Sequence, residues 1–309
     1  MPRPNILFIT TDQQRADMAG CYGNPVIRTP NIDRLADEGV RFDRAYVANP
    51  LCMPSRSTLL TGLYPSQHGV WVNGIPLREE IPTLPQILAG QGYRTAALGK
   101  LHITPYDAPG YRESVSDWEQ NGYQGWNGPF YGFAEVALSM HHNAPKGHYG
   151  EWIRQHHPDV EEKFWQIEGR RPPSGPPMTW ASEVPVAAHT STWVGDITLD
   201  YLRRQAGGSE PFFAWVGFPD PHHPFCPPKE LAGMYDPAEV PLPPRRTGDL
   251  KDRPPQYRAW YEDGVRHEGA GGKFVPAELS EQQLREMTAY NYAQVSLVDR
   301  NIGRILDEL

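Results

Sequence analysis

Only three cysteines, Cys21, Cys52 and Cys226, occur in 309 residues. They are too few and too scattered for a disulfide scaffold or a zinc ribbon. No run approaches the roughly 18–20 apolar residues that a spanning helix needs, which argues against a membrane protein. Basic residues are in deficit: 29 Lys and Arg stand against 37 Asp and Glu, for a formal charge of −8. A nucleic-acid coat shows a basic face instead. No secretory leader is visible either. Met1-Pro-Arg-Pro4 runs straight into Asn5-Ile-Leu-Phe-Ile-Thr-Thr-Asp12, so the expectation is a cytoplasmic protein. Proline and glycine, by contrast, are plentiful at 33 and 29, about a fifth of the chain, and point to long ordered loops rather than a helical bundle. The length allows one large α/β domain or two smaller ones.

Residues 5–11 form an almost wholly apolar run, the pattern of a central parallel strand buried on both faces. Thr29-Pro30 opens a helix that Gly39 closes, with Thr29 as N-cap and Pro30 at the first helical position. Val40–Ala48 alternates like a second strand, Thr83 starts a helix ending near Gly90–Gly92, and Tyr93–Leu98 and Phe212–Phe218 read as further strands. Strands alternating with helices imply a parallel sheet with helices on both faces. Between about 104 and 190 the periodicity weakens, and this stretch holds most of the Trp and His residues. Such aromatic content argues for an ordered insertion over the sheet edge rather than disorder. A polar loop at about 235–278 reads as a lid. Ser280 to Gln283 form a capping box that opens a last helix, whose apolar stripe runs to the final residues.

The informative string is Cys52-Met-Pro-Ser-Arg56-Ser-Thr-Leu-Leu-Thr-Gly62. It puts a Cys just before a helix start and an Arg one turn on. Helix N-termini offer unpaired N–H groups and positive potential, and Arg adds a forked cation, so the position suits an anion and its attacking group. Asp12 ends the first strand, where ligands of open α/β sheets bind, and its carboxylate is a hard ligand for Ca²⁺ or Mg²⁺. Lys100 and His102 alternate beyond the third strand and point to one face. His141, His142, His148, His156 and His157 are spaced too irregularly for a zinc site, and loop contacts or substrate-pocket polarity is the simpler reading.

The Cys52–Gly62 string resembles the signature of type I, formylglycine-dependent sulfatases of the alkaline phosphatase-like superfamily. The likeness runs on through Asn5–Asp12, Thr29-Pro-Asn-Ile-Asp-Arg-Leu-Ala36, Gly92–His102 and Phe218-Pro-Asp-Pro-His-His-Pro224. It implies an alkaline phosphatase-like, mostly parallel α/β sheet, and a nucleophile made by oxidising Cys52 to formylglycine, with a formylglycine-generating enzyme or equivalent as maturation partner. It implies a divalent cation, with Ca²⁺ ahead of Mg²⁺ or Mn²⁺, on Asp12, residue 52 and the carbonyl of Gln13, where many relatives carry a second Asp. Arg56 would steady the nucleophile, Lys100 and His222 would hold sulfate, and His102 would help sulfate leave. His222 rather than His223 fits the spacing to Pro224, and Asn73 is a further polar contact or a turn Asn. The substrate is a small sulfated molecule; neither its identity nor the oligomeric state is legible.

Relatives of this family add a strand ending in Ser/Thr-Asp-His/Asn-Gly and a smaller carboxy-terminal domain, and no such string follows Phe218. The expectation is therefore an incomplete sheet, half a metal cage, and a truncated chain with little or no activity and poor stability. Two other readings stand beside the sulfatase: a phosphonate monoester or phosphodiester hydrolase of the same superfamily, and a non-catalytic anion-binding protein. The Lys100/His102 pair favours sulfate over phosphonate.

Overall fold

In the computed structural model the described residues are 3–309, except 122, 124, 142–143, 244–247 and 268–271. His142 thus lies outside the described residues, as do parts of the 235–278 loop. Four strands, β1 (Ile6–Thr10), β2 (Arg94–Gly99), β3 (Glu135–Leu138) and β4 (Phe212–Gly217), form one sheet in the order β1-β4-β2-β3. All its pairs are parallel, with Thr10 and Gly99 both level with Gly217. A separate antiparallel pair joins β5 (Val265–His267) to β6 (Gly272–Phe274). The helices run α1 (Pro30–Glu38), α2 (Cys52–Thr61), α3 (Pro65–His68), α4 (Leu84–Gly90), α5 (Val115–Asn121), α6 (Gly147–His156), α7 (Thr190–Gln205), α8 (Lys229–Ala232), α9 (Pro255–Asp263) and α10 (Glu281–Glu308).

Strand alternation sends successive side chains to opposite faces, and each face has its own core. Ala96, Leu98, Ala214 and Val216 pack with Trp193 and Val194 of α7 and Val298 and Ile302 of α10. Ala97, Phe213 and Trp215 pack instead with Met53 and Leu60 of α2. Helices on both faces of a parallel sheet are what the strand–helix alternation predicts. The segment between 104 and 190 contributes β3 to the sheet, with α5, α6 and an aromatic cluster of Trp118, Tyr123, Trp126 and His148 around it. No helix among the described residues is long and apolar enough to cross a membrane.

Two local readings need correction. Residues 40–48 are not a strand: Val40, Phe42, Tyr46 and Val47 are exposed, and no strand among the described residues pairs with them. Period-two alternation needs a sheet neighbour to become a strand. Second, β1 stands at the edge of the described sheet, with Phe8 37% exposed; an apolar run reads the same whether or not both sides are covered. Thr29 occupies the N-cap position of α1 ahead of Pro30, as read, but its side chain makes no cap bond and its hydroxyl accepts the Gly20 N–H. The Asn31 and Ile32 N–H groups bind the Asp299 carboxylate of α10 instead, at 3.0 and 2.8 Å. The Ser280–Gln283 capping box, on the other hand, forms as read.

Candidate active site

The carboxyl ends of β1, β2 and β4 deliver Asp12, Lys100 and the His222 loop to one place. Two backbone bonds align them: Lys100 N–H donates to Gly217 O at 2.7 Å and Phe218 N–H to Thr10 O at 2.8 Å. A third, from Asp12 N–H to Asp220 O, is 3.2 Å long. Gly99 and Gly217 permit this approach, since a Cβ on either would run into the other strand's backbone. Helix α2 enters from the side. Its first residue is Cys52, its last turn closes on Gly62 at φ +70°, and Asn73 Oδ1 accepts the Met53 N–H at 3.0 Å. Asn73 therefore meets the first turn of α2.

Cys52 and Arg56 lie one turn apart and so share a helix face. Arg56 is 5% exposed; it donates to Lys100 O at 2.8 Å and to Asp12 Oδ2 at 3.3 Å, and lies over the Trp215 ring. Lys100, fully buried, ion-pairs with the Asp12 carboxylate, and its Nζ is 3.8 Å from Cys52 Sγ. Sγ lies 3.7 and 3.9 Å from the two Asp12 oxygens. Two buried cations and one carboxylate thus converge on the head of α2.

Burial alone would raise the Asp12 carboxyl, but Lys100, Arg56 and His222 together hold it well below the usual carboxylate range. Burial pulls the Lys100 ammonium down, and Asp12 and Cys52 oppose it. Burial pushes the Cys52 thiol up, with Asp12 adding to it and Lys100 opposing. Since the thiolate is the reactive form, the unmodified thiol is a poor nucleophile here. His102 and His222 are both pushed well below the ordinary imidazole value, first by burial and then by Lys100. His222 Nδ1–H donates to the His223 carbonyl. His102 Nδ1 is buried and has no partner among the described residues.

The structure brings Asp12, Cys52, Arg56, Lys100 and His222 together. Asp12, Cys52 and His222 each offer a ligand atom within 4.8 Å of the others. A buried carboxylate held ionised is the hard oxygen a divalent cation binds, so this donor set fits part of a cation site; Ca²⁺ takes about 6–8 oxygens in all. Gln13 adopts φ +59°, and its Oε1 accepts from His223 Nδ1 at 3.0 Å.

Sequence reasoning missed the groups that hold the His222 loop. Asp220, 1% exposed, accepts from Ser191 Oγ at 2.6 Å and from Gln294 Nε2 at 2.8 Å. Asn291 Nδ2 donates to Pro221 O at 2.9 Å, and Gln294 also reaches Pro224 O. Helix α10, without a side chain at the site, thus straps the loop down. Buried amides inside an apolar helical stripe were the one signal for it.

The family model described as Sulfatase matches residues 4–309. The uncharacterised sulfatase YidJ of Escherichia coli is 29% identical over 309 residues, all of this chain and 54% of its own. An arylsulfatase of Clostridium perfringens is 29% identical over 310 residues, covering 98% of this chain and 59% of its own. Among solved structures, the phosphonate monoester hydrolase of Agrobacterium radiobacter superposes with a TM-score of 0.77 at 25% identity, over 99% of this chain and 59% of its own. The chain therefore spans a little over half the length of these relatives. It belongs to the sulfatase family.

Proposed function

We propose that this site binds and hydrolyses a sulfate monoester. The observation that carries the reading is the convergence of buried Lys100 and Arg56 on Cys52 and Asp12 at the N-terminus of α2. Two buried cations and a helix N-terminus form a preorganised seat for a tetrahedral oxyanion, and such preorganisation outweighs other terms in charge-developing reactions.

Lys100 donates to sulfate oxygens. Arg56, anchored on the Lys100 carbonyl and on Asp12, fixes the α2 face that carries position 52. His222, with Nδ1–H fixed on the His223 carbonyl, protonates the departing alcohol oxygen from its doubly protonated form, which the negative charge of a bound sulfate ester favours. His102, with an unpartnered Nδ1, takes a proton when sulfate is released. Oxidised to formylglycine, position 52 would supply a geminal hydroxyl pair, one oxygen to attack sulfur and one whose collapse to the aldehyde expels sulfate. Asp12, the amide oxygen of Gln13 and position 52 would hold a divalent cation, which supplies Lewis-acid stabilisation of charge. The maturation enzyme that oxidises Cys52 is part of this reading.

The structural likeness to a phosphonate monoester hydrolase supports a second reading, cleavage of phosphonate monoesters or phosphodiesters. Matched aryl sulfate, phosphodiester and phosphonate esters separate the two. The sulfate ester should turn over fastest, and the product of Cys52→Ala should turn over none of them. A faster phosphonate ester favours the second reading. Mass spectrometry of the Cys52 peptide reads the modification directly.

A further inference from the structure

Glu113 is a buried carboxylate that the proposed chemistry leaves unused. It is 1% exposed and has no cationic partner among the described residues. Its oxygens are nevertheless saturated. Oε1 accepts the His102 N–H at 2.5 Å; Oε2 accepts the Ile103 and Thr104 N–H groups, both at 2.8 Å, and the Thr104 hydroxyl at 3.0 Å. Three consecutive N–H groups aimed at one anion make a nest, a concavity that ordinarily binds an external anion. Here the anion is built in. Burial pushes the Glu113 carboxyl up, and the three N–H groups and the Thr104 hydroxyl pull it back.

The nest begins on a strained residue. His102 has φ +53°, in the left-handed region that is unfavourable for a residue other than glycine. Its imidazole stacks on Tyr106, with centroids 3.8 Å apart and planes 11° from parallel. Tyr106 sits on the loop that carries Glu113, because Tyr106 O accepts the Val115 N–H at the start of α5. One loop therefore grips His102 on two sides, by the backbone through Glu113 and by the ring through Tyr106.

We propose that Glu113 is a positioning residue, whose carboxylate clamps the 102–104 backbone and so holds the His102 imidazole in a single orientation beside Lys100, Arg56 and Asp12. The inference rests on the sulfatase reading for what His102 does, though not for how His102 is held. Glu113→Gln is the direct variant: its amide keeps one acceptor, but turns N–H bonds toward N–H donors.

The test records imidazole C–H spectra of the isotopically labelled full chain. In the wild type the His102 ring signals are displaced by the ring current of Tyr106. In Glu113→Gln they should move toward free-histidine positions, while those of His148 and His222 stay in place. Thr104→Val removes only the hydroxyl donor and should shift His102 the same way by less; it decides the matter if Glu113→Gln does not fold. A folded variant with His102 signals unmoved overturns the proposal. Turnover is the second readout: with an aryl sulfate, kcat should fall about 100-fold while KM changes little, the pattern of a misplaced catalytic group. Equal loss in a KM effect alone overturns it. A wild-type chain that turns over no sulfate ester, yet shows the His102 displacement on Glu113→Gln, sinks the sulfatase reading and leaves the clamp standing.

Discussion

Gly99→Ala tests how the sheet builds the site. Gly99 sits at the end of β2 with φ +91°, level with Gly217 of β4. A Cβ there would overlap the Gly217 carbonyl and come within 2.9 Å of Val194 Cγ2 on α7. The left-handed backbone costs alanine about 1–2 kcal/mol, and overpacking a tight core about 1–3 kcal/mol, so the loss of stability is about 2–5 kcal/mol. For a chain of this size that lowers Tm by roughly 3–8 °C. The damage also reaches chemistry, because the Gly217 carbonyl accepts the N–H that fixes Lys100. Urea titration gives the stability change, and calorimetry with sulfate the loss of anion affinity. Gly90→Ala, at the end of α4 with nothing within 4 Å of its Cβ, is the matched control and should change stability little. A Gly99→Ala protein with the wild-type urea midpoint and wild-type sulfate affinity refutes the argument.

Other perturbations follow from the same geometry. Lys100→Met strands the buried Asp12 carboxylate and should cost about 3–5 kcal/mol, with most of it regained in the Asp12→Asn/Lys100→Met double variant; additive losses in denaturant titration refute the pairing. Gln294→Leu removes one of the two side-chain donors to Asp220 and the bond to Pro224 O, and should cost about 1–3 kcal/mol, together with weaker sulfate binding by calorimetry. His148 accepts the Leu138 N–H and donates to Trp126 O, and burial lowers its pKa to about 4. Neutral when folded, it favours the fold fully above its unfolded pKa near 6.5. That contribution, about 3 kcal/mol, is lost as pH falls toward 4. Urea midpoints measured across that range should fall less steeply in His148→Gln; equal slopes refute it.

Much of the site was legible because its residues mark chain punctuation. Asp12 and Lys100 end apolar strands, and Cys52 and Arg56 share a helix face by their spacing alone. The His222 loop follows the clearest strand. What escaped were the groups behind them. Glu113 gives no local sign of its three N–H partners, and Gln294 and Asn291 read as polar interruptions of a buried helix. Val40–Ala48 shows the converse error, since a correct alternation there found no neighbouring strand.

Signals local to the chain marked strands and helices where caps, glycines and periodicity act within a few residues. They also put Cys52 and Arg56 on one face of one helix. Only the closed fold settles that β4 lies between β1 and β2, that Asp299 supplies the side-chain bonds to the first turn of α1, and that Glu113 and Asp220 stand behind the two histidines. The reason is range. Propensity, capping and periodicity act along the chain, whereas strand order and the partners of buried polar groups are set by contacts between distant segments. Those contacts exist only once the core has closed.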